Sequence, residues 1–286
     1  MMSRGAADFP HSFLLLCLRV PKSGSRSLQA ALESAYPLTR SFYLPNTLDL
    51  DGQLSRLQRV RFRRAQLRNL LRGYGTLSVD GALRVINRHA MPGDLLSGGH
   101  IDFRSVFRCL TRELKIITIL RNPYDRCRSD YYYGRRNYLR KSALARFDSG
   151  AIQRVAASRG FESFLDFLLD HRHIYGDIAA TYLGLAPWCD IRKFFGRHVF
   201  HAGVLERCEH FAQVLGEKMG AQVDFPHLND SGSAHHVPLP ASAKRKIERL
   251  YPRDFEVYEY LLAENREQVS GRIRNRRTAT ARHSRQ

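Results

Sequence analysis

The N-terminal region lacks an apolar run long enough to cross a bilayer. Its longest, Phe13-Leu14-Leu15-Leu16-Cys17-Leu18, has six residues, whereas a spanning helix needs about twenty. Arg19, Pro21 and Lys22 follow it in place of a small-residue cleavage site. The run therefore reads as a buried strand rather than a signal peptide or anchor. A soluble, cytoplasmic protein without a membrane span is expected, with any membrane contact limited to peripheral association through basic surface. Cysteine is scarce. Cys17, Cys109, Cys127, Cys189 and Cys208 are odd in number, and no two stand at CxxC spacing. That argues against a disulfide framework or a zinc site and for a reducing compartment. Cys17 and Cys109 lie among apolar residues, where thiols are usually buried. Acid is short as well: 27 Asp+Glu against 46 Lys+Arg leave a net charge of +19. Such an excess favours anionic partners but does not choose among phosphate or sulfate groups, acidic glycans, nucleic acid and anionic lipid.

A chain of 286 residues that is 43% hydrophobic has enough apolar material for one large core. Residues 12–19 read as a buried strand, Pro21 to Ser25 as a turn, and Ser27 to Tyr36 as a helix with Leu28, Ala31, Leu32 and Ala35 on one side. Lys115 to Leu120 is β-branched and apolar, as a central strand requires. Asn122-Pro123 is a helix start with its cap, and that helix is expected to run to about Leu139. Further helices are expected over 161–171, 208–219, 242–250 and 254–266, with a strand over 199–205. Alternation of this kind predicts an α/β fold: a P-loop-like, mostly parallel sheet with helices on both faces. One domain spans 1–265. Within it, 45–95 is expected to be a helical insertion, facing an acceptor. It includes the run from Leu54 to Arg72, which holds seven arginines and no acid. Residues 266–286 carry seven arginines against Glu267 alone and are expected to be disordered.

Two segments carry chemistry. The first is Arg19-Val20-Pro21-Lys22-Ser23-Gly24-Ser25-Arg26-Ser27. A loop between a buried strand and a helix aims backbone N–H groups into one concavity, and the helix start adds positive potential. Gly24 allows close approach, the three serines add hydroxyls, and Lys22 adds a mobile charge. This suits a phosphate or phosphosulfate. It is not a Walker A loop: the lysine precedes the only glycine, and the Lys-Ser/Thr pair that engages magnesium is missing. The second segment is Arg121 at a strand end, with Ser129 eight residues later on the following helix. If both face one phosphate, Arg gives planar charge-assisted bonds and Ser a short neutral one.

Together these segments resemble PAPS-dependent sulfotransferases (PAPS is 3′-phosphoadenosine-5′-phosphosulfate). RVPKSGSRSL is similar to their 5′-phosphosulfate loop and LRNPYDRCRSDYYYGRR to their 3′-phosphate motif. The likeness is to the carbohydrate branch, which includes heparan sulfate 2-O-sulfotransferase and the uronyl sulfotransferases. Gly99-His100-Ile101-Asp102-Phe103 resembles the segment that carries that branch's catalytic histidine. VLERCEHF over 204–211, Asn229-Asp230-Ser231 and YPRDFEVY over 251–258 complete the series in family order. Arg26 departs from the small hydroxyl residue common in the loop, and 45–95 matches no family segment.

The resemblance implies sulfuryl transfer from PAPS to a carbohydrate hydroxyl by in-line displacement, without a metal. Arg19 to Ser27 and Lys22 would hold the 5′ side, Arg121 and Ser129 the 3′-phosphate, and His100 would be the general base. Asp102 could orient His100 or cap a turn. The acceptor surface could be 54–72 or Arg135, Arg136 and Arg140. The alternatives are a nucleotide-dependent kinase with an atypical loop and a non-enzymatic nucleic-acid-binding protein. No zinc-finger, RRM or basic-zipper signature supports specific nucleic-acid binding.

Overall fold

A computed structural model describes residues 12–35, 41–44, 79–98, 100–147, 149–226 and 238–264. The basic run 54–72, the Asn229-Asp230-Ser231 segment and the tail 266–286 lie outside them.

The order is β1 (Leu14–Cys17), α1 (Ser25–Ala35), β2 (Ser41–Leu44), α2 (Val79–His89), β3 (Leu95–Gly98), α3 (Phe103–Cys109), β4 (Leu114–Leu120) and α4 (Pro123–Leu139). Then come α5 (Ala143–Phe147), α6 (Ala151–Ser158), α7 (Phe161–Asp170), α8 (Arg172–Tyr175), α9 (Ile178–Leu183), α10 (Ile191–His198) and β5 (Val199–Val204). A 3-10 turn (Leu205–Arg207), α11 (Cys208–Met219), α12 (Ala241–Leu250) and α13, over 252–264, complete it. The strands form one sheet in the order β2-β3-β1-β4-β5, and every neighbouring pair is parallel.

The sheet is buried on both faces, and β1 shows why. Successive side chains of a strand point to opposite faces. Leu14 and Leu16 join a core with Leu83 and Ile86 of α2, Phe103 and Val106 of α3, and Tyr182 and Leu183 of α9. Leu15 and Cys17 join a second core with Leu28, Ala31 and Leu32 of α1 and Phe211 and Leu215 of α11. Each fully buried leucine stabilises the fold by about 1.5–3 kcal/mol relative to exposure. A third cluster packs α4, α6, α7 and α12 through Cys127, Tyr131, Phe164, Leu168, Ile247 and Tyr251. This is the α/β architecture that the alternation of strands and helices predicts. One local expectation is corrected: Cys109 is exposed, because it ends the seven-residue helix α3 and points away from the core. Cys17 is buried as expected.

Within the 45–95 region, α2 is helical and its Leu83 and Ile86 are sealed in the main core. Strand β3 begins at Leu95.

The buried ion pair Arg126–Asp254 ties α4 to the rest of the molecule. The two groups are 3.1 Å apart with side chains 2% exposed. Asp254 also accepts the amide N–H groups of Ala179 (3.1 Å) and Ala180 (2.8 Å). The Arg126 guanidinium lies 4.2 Å from the Tyr251 ring centroid. Arg126 therefore serves packing, although it sits inside the segment singled out for anion binding.

Candidate active site

Parallel sheets leave the ends of all their strands on one edge, where ligands of α/β folds bind. Here that edge receives Arg19 after β1, His100 after β3, Arg121 after β4 and Glu206 after β5.

The loop after β1 turns through two left-handed residues, Lys22 (φ 62°) and Gly24 (φ 72°). For glycine that conformation is unstrained; for lysine it costs about 1–2 kcal/mol, a kind of strain that concentrates at functional positions. A Cβ on Gly24 would sit 2.6 Å from Leu205 Cδ1, so the turn after β5 presses directly on the loop. Helix α1 starts at Ser25, and the Leu28 N–H is the first to reach back, bonding the Gly24 carbonyl at 3.1 Å. The N–H groups of Ser25, Arg26 and Ser27 therefore have no intrahelical acceptor. Ser23, Ser25 and Ser27 are buried and Arg26 is exposed. The Ser23 hydroxyl is buried with no hydrogen-bond partner among the described residues. An orphan hydroxyl beside the start of a helix fits an anionic oxygen, which would satisfy it.

Arg121 is half-buried, flanked by the capped start of α4. The Asn122 side chain accepts the Tyr124 N–H (2.9 Å), while the Asn122 N–H donates to Glu206 Oε1 (2.8 Å). Burial pulls the Arg121 guanidinium below its ordinary range; Arg128 adds to that, and Asp125 and Glu206 oppose it. Ser129 is buried on α4, next to buried Arg128.

The loop and α4 meet at Lys22. Its ammonium stands 3.1 Å from the centroid of the Tyr133 ring. Burial pushes the Lys22 pKa down to about 8, Asp130 resists, and Arg136 and Arg121 push the same way as burial. Lys22 and Arg121 thus share one electrostatic neighbourhood.

His100 meets the loop at its first residue, Arg19. Its Nδ1 is 2.9 Å from the Arg19 carbonyl oxygen. A carbonyl only accepts, so Nδ1 carries the proton, and the lone pair of the neutral ring falls on Nε2. Burial lowers the His100 pKa below its ordinary value; the bond to Arg19 opposes this, while the charges of Arg19 and Lys22 reinforce it. The ring also meets Tyr182 edge-on at 6.1 Å. Asp102 does not orient His100. It caps α3, accepting from the Ser105 N–H (2.9 Å) and hydroxyl (2.6 Å).

His100 opens onto a cleft of about 350 Å³ lined with Asp102, Arg104, Thr181, Tyr182 and Gly184–Ala186. Arg104 Nε donates to the Gly184 carbonyl at 2.8 Å, closing one wall. Sequence reasoning missed this wall, along with Tyr133, Asp130 and Arg128. Tyr133 and Asp130 were visible inside the SDYYY run, four and one residues past Ser129, where a helix turns them to one side. Tyr182 and Arg104 had no local signal.

The strand-end edge of the all-parallel sheet thus carries a glycine-bearing loop, the start of the arginine-rich helix α4 and a histidine-lined cleft, the place where α/β folds bind ligands. The family profile described as sulfotransferase domain matches residues 15–192, from β1 through the cleft wall, and the chain belongs to that family. It is a transferase of sulfuryl groups. Among curated proteins, none matches the chain significantly. The match decides for sulfuryl transfer over the kinase reading. Among the described residues, no three His, Cys, Asp or Glu side chains cluster to hold a metal, and no helix is long and apolar enough to cross a membrane.

Proposed function

We propose that this sulfotransferase uses PAPS as donor and a carbohydrate-type hydroxyl as acceptor, with His100 as general base. The observation that carries the reading is that Lys22, Arg121 and His100 meet at one sheet edge, the Lys22 charge interacting with both of the others. The donor fits the residues present. The α1 amides and the orphaned Ser23 hydroxyl would hold the 5′-phosphate within the loop from Arg19 to Ser27, with Gly24 giving the room. Arg121 and Ser129 would hold the 3′-phosphate, the feature that separates PAPS from ATP. Lys22 would offset charge growing on the bridging oxygen as the S–O bond breaks.

The acceptor hydroxyl would enter the cleft beside His100. Its oxygen would attack sulfur in line with the departing phosphate, and its proton would pass to Nε2. A volume of about 350 Å³ suits a sugar unit. The Tyr182 ring offers an apolar face, and exposed Arg104, Arg135 and Arg136 favour an acidic glycan.

The test is transfer of labelled sulfate from PAPS to a panel of neutral and acidic oligosaccharides, with wild type and His100→Ala. The reading requires labelled product that disappears in the variant while affinity for 3′-phosphoadenosine-5′-phosphate (PAP) persists. Full turnover by His100→Ala would remove that residue from the base role.

A further inference from the structure

Three residues of α4 at helical spacing, Asp130, Tyr133 and Arg136, lie near Lys22 of the loop. Tyr133 meets the Lys22 ammonium with its aromatic face, the ammonium lying 3.1 Å from the ring centroid. A cation over a tyrosine ring is attracted by the ring's negative face, most strongly where water is partly excluded. Lys22 is such a case: it is half-buried, and its backbone is fixed in a left-handed turn. Tyr133 itself is 42% exposed, so core packing does not account for its placement.

We propose that Tyr133 is a positioning residue for Lys22: its ring holds the ammonium at the mouth of the loop, charged and facing the donor site. The inference rests on the role given to Lys22 above. The charged groups facing Lys22 are Asp130 and Arg136 of α4 and Arg121 at the end of β4, and the titratable ring of His100 feels the Lys22 charge. Of these, Asp130 alone favours the ammonium. Its own charge is discouraged by burial, which raises its pKa, although Arg126 and Lys22 resist. The ring supplies attraction that does not depend on a second titration. With the Lys22 pKa already down to about 8, a small loss of attraction matters at neutral pH.

The experiment compares Tyr133→Leu and Tyr133→Phe in the full chain. Measurements are kcat, the pH dependence of kcat/KM for PAPS, PAP affinity, and the Lys22 side-chain methylene NMR resonances, assigned by their loss in Lys22→Arg. The wild-type resonances should be displaced upfield by the ring current. Tyr133→Leu should abolish that displacement, lower kcat about three- to tenfold and move the alkaline limb down by about half a pH unit. PAP affinity should stay within about twofold. Tyr133→Phe keeps the ring and should restore the shift and most of kcat. Wild-type kcat and alkaline limb in Tyr133→Leu would overturn the inference, as would equal damage from both variants, which would assign the effect to the hydroxyl. Full activity in Lys22→Met would sink the role of Lys22 itself. A silent Tyr133→Leu alongside a dead Lys22→Met would sink only the positioning role.

Discussion

Replacing Gly24 with alanine puts two costs on the anion loop, and both can be worked from the structure. The residue sits at φ 72°, where an L side chain costs about 1 kcal/mol relative to glycine. The new Cβ would lie 2.6 Å from Leu205 Cδ1 and 3.4 Å from Cδ2. The clash is with the far end of a half-buried side chain, so Leu205 can yield, at about 1 kcal/mol, the low end for overpacking. The sum, about 2 kcal/mol, should lower Tm by roughly 4–8 °C for a domain of this size. The same displacement opens the cradle of α1 amides, so PAP should bind about tenfold more weakly, equivalent to about 1.4 kcal/mol. Calorimetric unfolding and PAP titration on the purified variant give both numbers. The pair Gly24→Ala/Leu205→Ala separates the causes. Trimming Leu205 removes the clash and leaves the backbone cost, so the double variant should be less destabilised than the two single losses added together. A Gly24→Ala protein with unchanged Tm and unchanged PAP affinity would refute both the pressed loop and its role in anion binding.

The rate should depend on pH as a bell. As the proposed base His100 must be neutral, and burial holds its pKa below the ordinary 6.5, so the acid limb of kcat/KM should lie below that value. The role proposed for Lys22 requires its charge, and with its pKa at about 8 the alkaline limb should fall there, leaving roughly a tenth of Lys22 protonated at pH 9. An alkaline limb near the ordinary lysine value would contradict the burial of Lys22. Arg126→Met should destabilise the fold by about 3–5 kcal/mol, because Asp254 stays buried with its partner gone. Urea unfolding reads this, and adding Asp254→Asn should recover part of the loss.

Much of this geometry was legible in the sequence because its determinants are local. A six-residue apolar run followed two residues later by Pro-Lys-Ser-Gly reads as a buried strand feeding a tight turn, and Asn122-Pro123 fixes where α4 begins. The matched ranges for α4 and α11 follow from caps and apolar spacing within one helix. Strands β2 and β3 were not legible. SFYL and LLSG are four residues each and gain their identity from parallel partners, Leu96 pairing with both Phe42 and Leu16. The two roles open to Asp102 also needed three dimensions: Ser105, three residues on, claims its carboxylate, while His100 turns to a carbonyl 81 positions away in the chain. Tyr133 was visible as one of three tyrosines, but nothing in the sequence says which of them meets Lys22.

The most direct measurement is the affinity ratio of PAP to adenosine 5′-phosphate, taken by calorimetry on wild type and Arg121→Ala. The ligands differ only in the 3′-phosphate. A strong wild-type preference for PAP that collapses when Arg121 is removed, with 5′-phosphate binding retained, is what the proposed grip on both ends of one nucleotide predicts. Equal affinity in the wild type, or a preference untouched by losing Arg121, would contradict it.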